Sequence, residues 1–576
     1  MRYWVILTLL IGAAFLIRIH DLDSVNLRGD EGYNAVHWTK TPFSPAWMDM
    51  VEYEPNPGAL ITYWAWSSLA GKSEFALRYL PVLINTLGLA VMVALARRLM
   101  HDWRLALLVG VLWVGAPFLI WHAQDARQYA LLTALTPLNF YLLLRAIERK
   151  DRWWVYLIMQ TFAIYLYYVE LFWVAAQGVY LLSLRRRDLL KQAARTWAIM
   201  GVLLIPLFIQ IYVVIFVGEY EATATSAEAT ALFTQFIPTL IFGDNTFPLW
   251  AGALTALVII GGLIASDWRE KWLVVAWIVI PLLLLTIVSI KANFFLPRYV
   301  VTITPALLLA IVMVMAWLNQ RKLMLPVASV LLLSGIFGVE VRDYFVNDPP
   351  KAPDWVTLMD YLDQRTTDHT VVVFGQPDPA IEYYFQSAGD LYLLPVDWYE
   401  GDWQSELNSL LADYDAVFVA ADPYTGQVRD YLTTQAQYIP GDALNLAQFR
   451  PWEVNVREIQ HSLEIEFEDV AILRGYSLLG DETLMLYWEP LVQTDVDYSV
   501  LLHIERAPGD LTALDHGVAG GVVSTRVWEV GALYRDAVAL DGASGTIYVG
   551  MYPTGNPIDV ERVAIGSVSF VSTESQ

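Results

Sequence analysis

Four short stretches hold the residues that could do chemistry. In LRGDEGYNA, Asp30 and Glu31 are adjacent. Two neighbouring carboxylates can hold a divalent metal, or one can act as a general base; a solvated acidic loop is the other reading. Glu54 lies in EYEPNPGALITYW, where Pro55 and Pro57 fix the backbone and Gly58 lets it turn. A rigid acidic segment carrying Glu54 and Asn56 suits substrate positioning, although the start of a helix would use the same residues. In FLIWHAQDARQYALL, His122, Asp125, Arg127 and Tyr129 interrupt apolar sequence. Polar groups at such a depth are costly unless paired or functional, so an Asp125–Arg127 ion pair is the structural alternative. The fourth stretch is NFFLPRYVVTITPALLLA, with Arg298 and Tyr299 after Pro297. A guanidinium there can clamp a phosphate through two hydrogen bonds, or snorkel to lipid headgroups.

Other chemistries are excluded by composition. The 576 residues include no cysteine, which removes thiol catalysis, disulfides and cysteine metal sites. The chain is 56% hydrophobic and only 16% charged, well below the roughly 25% of soluble domains. Its net charge of −23 is unevenly spread: residues 341–576 carry 38 acidic and 11 basic side chains. The first 340 residues are therefore slightly basic. An acidic soluble part on a neutral membrane part gives nucleic-acid binding no electrostatic support.

The elements that must hold these groups are membrane helices. Residues 3–19 are apolar and run on past Gly12, Ala13 and Ala14 without a polar mature start, so an uncleaved first span is expected rather than a leader peptide. Ten more runs follow near 79–96, 105–121, 129–144, 153–168, 171–184, 197–217, 248–265, 272–290, 299–317 and 323–340. A crossing helix needs about 20 residues. Several runs are short, and 153–184 must supply two. With eleven spans, the basic clusters at 97–104, 145–152, 185–195, 269–271 and 321–322 share one face. That face is cytoplasmic by the positive-inside rule, which puts the N-terminus inside and the C-terminal third outside. The acidic loops 20–77 and 218–247 then face outward. Residues 58–70 are apolar but too short to cross, and read as an interfacial or re-entrant helix.

The pattern changes at the Pro-rich NDPPKAPDW. Helices at 354–365 and 404–412 with strands at 370–374 and 416–420 indicate a small α/β unit over 346–449. From 450 the segments LMLYWEP, YSVLLHIER and GTIYVGMYP alternate in and out between Gly and Asp turns, which argues for a β-sandwich over 450–576. GVAGG at 517–521 reads as a turn, so no nucleotide-binding glycine motif stands in either unit. The expected fold is thus a multi-span α-helical membrane domain over 1–345, with about eleven transmembrane helices, followed by an extracytoplasmic α/β and β-sandwich region.

The order and spacing of the four stretches resemble the GT-C membrane glycosyltransferases related to protein O-mannosyltransferases and the lipid A aminoarabinose transferase, in their bacterial branch. The resemblance runs through FLIRIHDLDSVNLRGDEGYNA, EPNPGALITYWAWSSLAGKSEFALRYLPVL, APFLIWHAQDARQYALLTAL and LPRYVVTITPALLLA. It covers most of the first 340 residues, and loosely the β-rich appendage. It implies a sugar donor on a polyprenyl phosphate, an extracytoplasmic glycan, lipid or protein hydroxyl as acceptor, and inversion at the anomeric carbon in a bacterial plasma membrane. By position, Asp30 would be the base with Glu31 beside it, while Glu54 and Asn56 would line the donor site. Asp125, Arg127 and Tyr129 would form the acidic-x-Arg part of that site, and Arg298 with Tyr299 would bind the donor phosphate. Relatives often carry His or Lys at the place of Asn56 and Pro at that of Gly58. A divalent metal, with Glu54 as a ligand, is an open possibility; no other cofactor is implied. The rival classes are a lipid or glycan transporter, or flippase, displaying a binding domain, and a membrane anchor. The first predicts internal repeats and helices broken at mid-membrane. No repeat is present, and eleven spans exceed what an anchor needs.

Overall fold

In the computed structural model, the described residues of the eleven apolar runs are helical throughout most of their length. The structure describes residues 2–42, 44, 54–149, 152–214, 236–243, 249–292, 295–320, 322–346, 352, 354–363, 366, 370–374, 378–386, 388–393, 403–414, 416–421, 437–439, 450–455, 459–479, 483–518, 525–528, 530, 533–540, 542–556 and 560–568. The expected acidic loop at 218–247 falls within them only at 236–243, and most of the Pro-rich boundary at 347–355 and residues 519–521 of GVAGG lie outside. Two compact units result, residues 1–351 and 352–576.

The first unit is helical. Its elements are α1 (Arg2–Ile19), α2 (Gly29–Tyr33), α3 (Pro57–Ala70), α4 (Glu74–Met100), α5 (Trp103–Gly115), α6 (Pro117–Ala123), α7 (Tyr129–Arg149), α8 (Trp153–Leu166), α9 (Leu171–Ser183), α10 (Arg187–Leu203), α11 (Ile205–Tyr212), α12 (Ile237–Phe242), α13 (Leu249–Ala265), α14 (Lys271–Ala292), α15 (Thr304–Leu318) and α16 (Met324–Val346). Among the described residues, six helices are long and apolar enough to cross a bilayer, and eight if the bent pairs α5–α6 and α10–α11 each count as one span. A 3-10 turn at Tyr168–Glu170 splits 153–184 into helices of 14 and 13 residues, the two elements expected there. Helix α3 has 14 residues, short of a crossing as expected.

The bend of 58° between α5 and α6 sits at Pro117. Proline has no N–H to donate to the carbonyl four residues earlier. Arg18 of α1 supplies the missing donors: its Nη2 donates to Trp113 O at 2.9 Å and its Nη1 to Val114 O at 3.2 Å. Its Nε donates to Asn85 Oδ1 at 2.6 Å, and Asn85 in turn donates to Thr133 Oγ1 at 2.8 Å. A fully buried arginine thus joins α1, α4, α5 and α7. Gly58 marks another close approach. A Cβ there would lie 2.6 Å from the carbonyl carbon of Tyr165. The end of α8 therefore leaves no room for a side chain at this place.

In the second unit, strands Thr370–Phe374 (β1), Asp390–Leu393 (β2), Ala416–Ala421 (β3), Gln437–Ile439 (β4) and Arg450–Asn455 (β5) form a sheet of order β2-β1-β3-β5-β4. The β1–β2 and β1–β3 pairs are parallel, and β3–β5 and β4–β5 are antiparallel. Helices Trp355–Asp363, Ala380–Tyr384 and Trp403–Asp413 accompany it. The mixed sheet thus takes in 450–455, and the sandwich begins with His461–Phe467 (β6). It comprises Ala471–Leu479 (β7), Thr483–Pro490 (β8), Tyr498–Ala507 (β9), Asp510–Ala513 (β10), His516–Gly517 (β11), Tyr534–Ala539 (β12), Gly545–Pro553 (β13) and Val563–Val568 (β14). One sheet has order β12-β8-β7-β6; the other has β10-β9-β13-β14 with β11 on β9. Leu484, Leu486 and Trp488 meet Val500, Leu502, Ile504, Ile547 and Val549 in the core, as inward alternation along each strand requires.

One ion pair crosses between the sandwich sheets. His516 of β11 meets Oδ2 of the fully buried Asp536 of β12 at 2.8 Å, and its Nδ1 lies 2.7 Å from the Leu514 carbonyl. Both ring nitrogens face acceptors, so the imidazolium form satisfies both. Burial works against that charge, but Asp536, the carbonyl and Asp515 outweigh it and raise the pKa above the ordinary 6.5.

Two outcomes are expected. Arg18→Met leaves two carbonyls and an amide oxygen without donors. It should lower stability by about 3 kcal/mol or more, seen as a drop of several degrees in Tm of the detergent-solubilised protein. For the second unit, a raised His pKa gives stability that is whole below pH 6.5 and lost as pH rises through the folded value. Its unfolding free energy should fall above that point by at most ~1.4 kcal/mol per pH unit, and His516→Asn should flatten the dependence.

Candidate active site

The site is assembled around α2, the five-residue helix holding the Asp30–Glu31 pair. Successive residues on a helix point about 100° apart, so the two carboxylates go separate ways. Glu31 turns inward and is fully buried. Arg78 of α4 donates Nε to its Oε1 at 2.8 Å and Nη2 to its Oε2 at 2.7 Å. The Ala126 N–H also donates to Oε1, at 2.8 Å. The remaining Arg78 donors take the carbonyls of Leu22, Val25 and Asn26. Glu31 is therefore saturated with donors and fastens α2 to the loop after α6.

Asp30 turns the other way and keeps its side chain 33% exposed. Arg298, from the turn before α15 and 268 residues distant, donates Nη1 to Asp30 Oδ2 at 2.7 Å. Arg28 Nη1 lies 3.7 Å from the same oxygen. Arg127 donates Nη1 to the Asp30 carbonyl at 3.3 Å and to Asn34 Oδ1 at 2.7 Å. Burial pushes the Asp30 pKa up, but the guanidiniums of Arg127, Arg298 and Arg28 outweigh it and hold the carboxyl below its usual 3.8.

Asp125 does not pair with Arg127. Its carboxylate, 1% exposed, is clamped by Arg28 through Nε at 3.3 Å and Nη2 at 2.7 Å. Burial again opposes the charge, and Arg28 reverses it and keeps Asp125 ionised. Arg127 reaches past it, with its guanidinium 4.9 Å from the Trp38 ring centre. Three tyrosines close the region, with Tyr129, Tyr167 and Tyr299 ring centres 5.7 to 6.5 Å apart.

Glu54 sits deeper. It accepts from Trp38 Nε1 at 3.2 Å and from the Asn56 N–H and side-chain amide at 3.0 and 2.8 Å. Burial raises its pKa above the ordinary carboxylate value, against the pull of Arg127 and these hydrogen bonds. Both its carboxylate oxygens are occupied by N–H donors. Among the described residues, no three His, Cys, Asp or Glu side chains gather where a metal would be held.

The structure brings Asp30, Arg127, Arg298, Tyr129 and Tyr299 together, and adds Arg28, Asn34, Trp38, Arg78 and Tyr167, which sequence reasoning passed over. Arg78 had a signal: a lone arginine inside the apolar EFALRYLPVL is costly unless partnered. The others needed the fold.

Residues 54–216 match the family model described as dolichyl-phosphate-mannose-protein mannosyltransferase. Two solved structures of ArnT from Cupriavidus metallidurans are similar in fold, each at 16% identity over 78% of this chain and 97% of that one. The apo state has a TM-score of 0.55 and the state bound to undecaprenyl phosphate 0.53. Comparison with curated proteins gives no match. The matched segment contains Glu54, Arg78, Asp125 and Arg127, and the architecture that carries them is shared along nearly all of ArnT. Residues 54–216 thus resemble that mannosyltransferase family, and the chain shares its fold with ArnT.

Proposed function

We propose that this chain transfers a sugar from a polyprenyl-phosphate donor to an acceptor hydroxyl on the outer face of the membrane, with inversion. One observation carries the reading: Asp30 and Arg298, remote in sequence, share a 2.7 Å ion pair whose members both remain partly open to solvent. The other acids near it, Glu31 and Asp125, are closed off by their arginines. An ArnT structure with undecaprenyl phosphate is consistent with such a donor. The basic-loop asymmetry supports a cytoplasmic N-terminus with the second unit outside.

The donor phosphate competes with Asp30 for Arg298. Once the phosphate has taken the Nη1 donor, Oδ2 is free to accept a proton. The acceptor oxygen attacks the anomeric carbon as the bond from that carbon to the phosphate oxygen breaks. The electron pair leaves on polyprenyl phosphate, and the hydroxyl proton passes to Asp30. The departing phosphate gains one negative charge, which Arg298, with Arg127 and Arg28 nearby, stabilises by charge-assisted hydrogen bonds in a site with little water. Because neighbouring cations depress its pKa, Asp30 stays ionised to below pH 3.8. It is a weak base, suited to a proton that leaves late, after the anomeric centre has become cationic. Tyr299, the least buried of the three tyrosines, is the aromatic wall best placed for a sugar ring. Glu54 and Asn56 form a hydrogen-bonding floor for its hydroxyls.

The experiment is mass analysis of membrane lipids and glycans with and without the protein, followed by in vitro transfer from the donor so identified. Asp30→Asn should lower kcat by about 10²–10⁴ while membrane insertion and protein level are unchanged; retained transfer removes Asp30 from the mechanism. Wild-type kcat/KM should show no acid limb from Asp30 above about pH 4, the side on which a depressed carboxylate pKa leaves it charged. Arg298→Ala should cost about 10²–10³ in kcat and raise the donor KM with little effect on the acceptor KM. Arg298→Lys should recover part of the loss, since it keeps the charge without the fork.

A further inference from the structure

Helix α10 carries an arrangement that glycosyl transfer does not use. Its buried side packs on the bundle: Leu189 and Ala193 join Leu143, Ala146 and Trp153 in one cluster, and Met200 packs with Ile164 in the next. The opposite side is exposed and changes character along its length. Arg187, Lys191 and Arg195 recur every four residues and line one stripe. Beyond them the same side continues as Ile199, Val202 and Leu203, with Val202 65% exposed.

The eight steps from Arg187 to Arg195 rise about 12 Å, long enough to pass through the interfacial layer on one side of a bilayer. The change from basic to apolar between Arg195 and Ile199 then marks where headgroups give way to hydrocarbon. Trp154, 61% exposed at the start of α8, which packs beside α10, is placed as an interfacial tryptophan. Among the described residues, none of the three basic side chains has a carboxylate within 4 Å. The nearest acid on the helix, Asp188, is held by Arg186 at 2.8 Å.

We propose that this stripe binds an anionic phospholipid, with Arg187, Lys191 and Arg195 on the headgroup phosphate and the next two turns against its acyl chains. An acidic protein would cover only the basic part, whereas the stripe runs unbroken into an exposed apolar one on the same helix. A zwitterionic lipid lacks the net charge that three clustered cations call for.

The test is native mass spectrometry of the full-length protein in detergent, titrated with phosphatidylglycerol or phosphatidylcholine. Phosphatidylglycerol should be retained preferentially. The triple variant Arg187→Gln/Lys191→Gln/Arg195→Gln should bind it roughly 100-fold more weakly, at ~1 kcal/mol for each basic residue near an anionic headgroup and tenfold per 1.4 kcal/mol. Lys191→Gln alone should lose about fivefold, and this single change decides the matter should the triple variant not fold. Arg269→Gln, at a side chain 92% exposed elsewhere, should leave retention as in the native chain. Raising salt to 1 M should weaken the native interaction. Equal retention of the two lipids, or phosphatidylglycerol retention unchanged by Lys191→Gln and by the triple variant, overturns the proposal.

Discussion

Glu31 and Arg78 meet where neither has contact with water, and the geometry of the whole site hangs on that meeting. Two charges taken out of solvent are tolerable only when their hydrogen-bonding capacity is filled. Here it is: the guanidinium spends its donors on the carboxylate and on three carbonyls of the 22–26 segment, and the carboxylate takes the Ala126 N–H as well. Three pieces of chain far apart in sequence are thereby held in one register. The backbone of α2 is fixed on one side and the loop bearing Asp125 and Arg127 on the other. With those two set, Arg28 has only one direction in which to reach Asp125, and Asp30 is left facing Arg298.

The adjacent acids thus divide their labour by orientation. They have the same functional group and the same neighbours in sequence, and the turn of a short helix sends one into the packing and the other toward the open side. The cationic shell around Asp30 has two effects at once. It keeps the carboxylate charged, and it provides the donors that an incoming phosphate would claim. In the proposed reaction, a site with Asp30 but without its arginines would hold a stronger base and have nothing for the leaving group.

Much of this was legible in the sequence, for a physical reason: a polar residue in an apolar helix or at its end is rare enough to notice. Asp30, Arg127 and Arg298 stood out on that ground, and the helical runs followed from hydropathy. Other features depend on contacts between distant residues. The partner of Asp125 is Arg28, 97 positions earlier, while the nearer Arg127 was the obvious candidate and turned elsewhere. Glu31 could not be told from Asp30 by type. The two runs expected within 153–184 are separated by a 3-10 turn at Tyr168–Glu170. The strand Arg450–Asn455 resembles its sandwich neighbours in composition, yet it pairs with β3, a choice set by packing that local pattern does not encode.

The first helix looks, by composition, like any hydrophobic leader, and yet its Arg18 donates to the carbonyls that Pro117 leaves open. A peptidase that trimmed the chain after this segment would strip the bent α5–α6 corner of its donors and bare two peptide oxygens inside the bundle. The carbonyls of Arg18 and His20 would likewise cease to hold Gln124, which precedes Asp125. An unrelated hydrophobic anchor fused in its place would insert equally well and still leave the corner undone. This segment is consequently a working part of the bundle, and a secretion tag or swapped leader placed over it is the wrong way to express the protein.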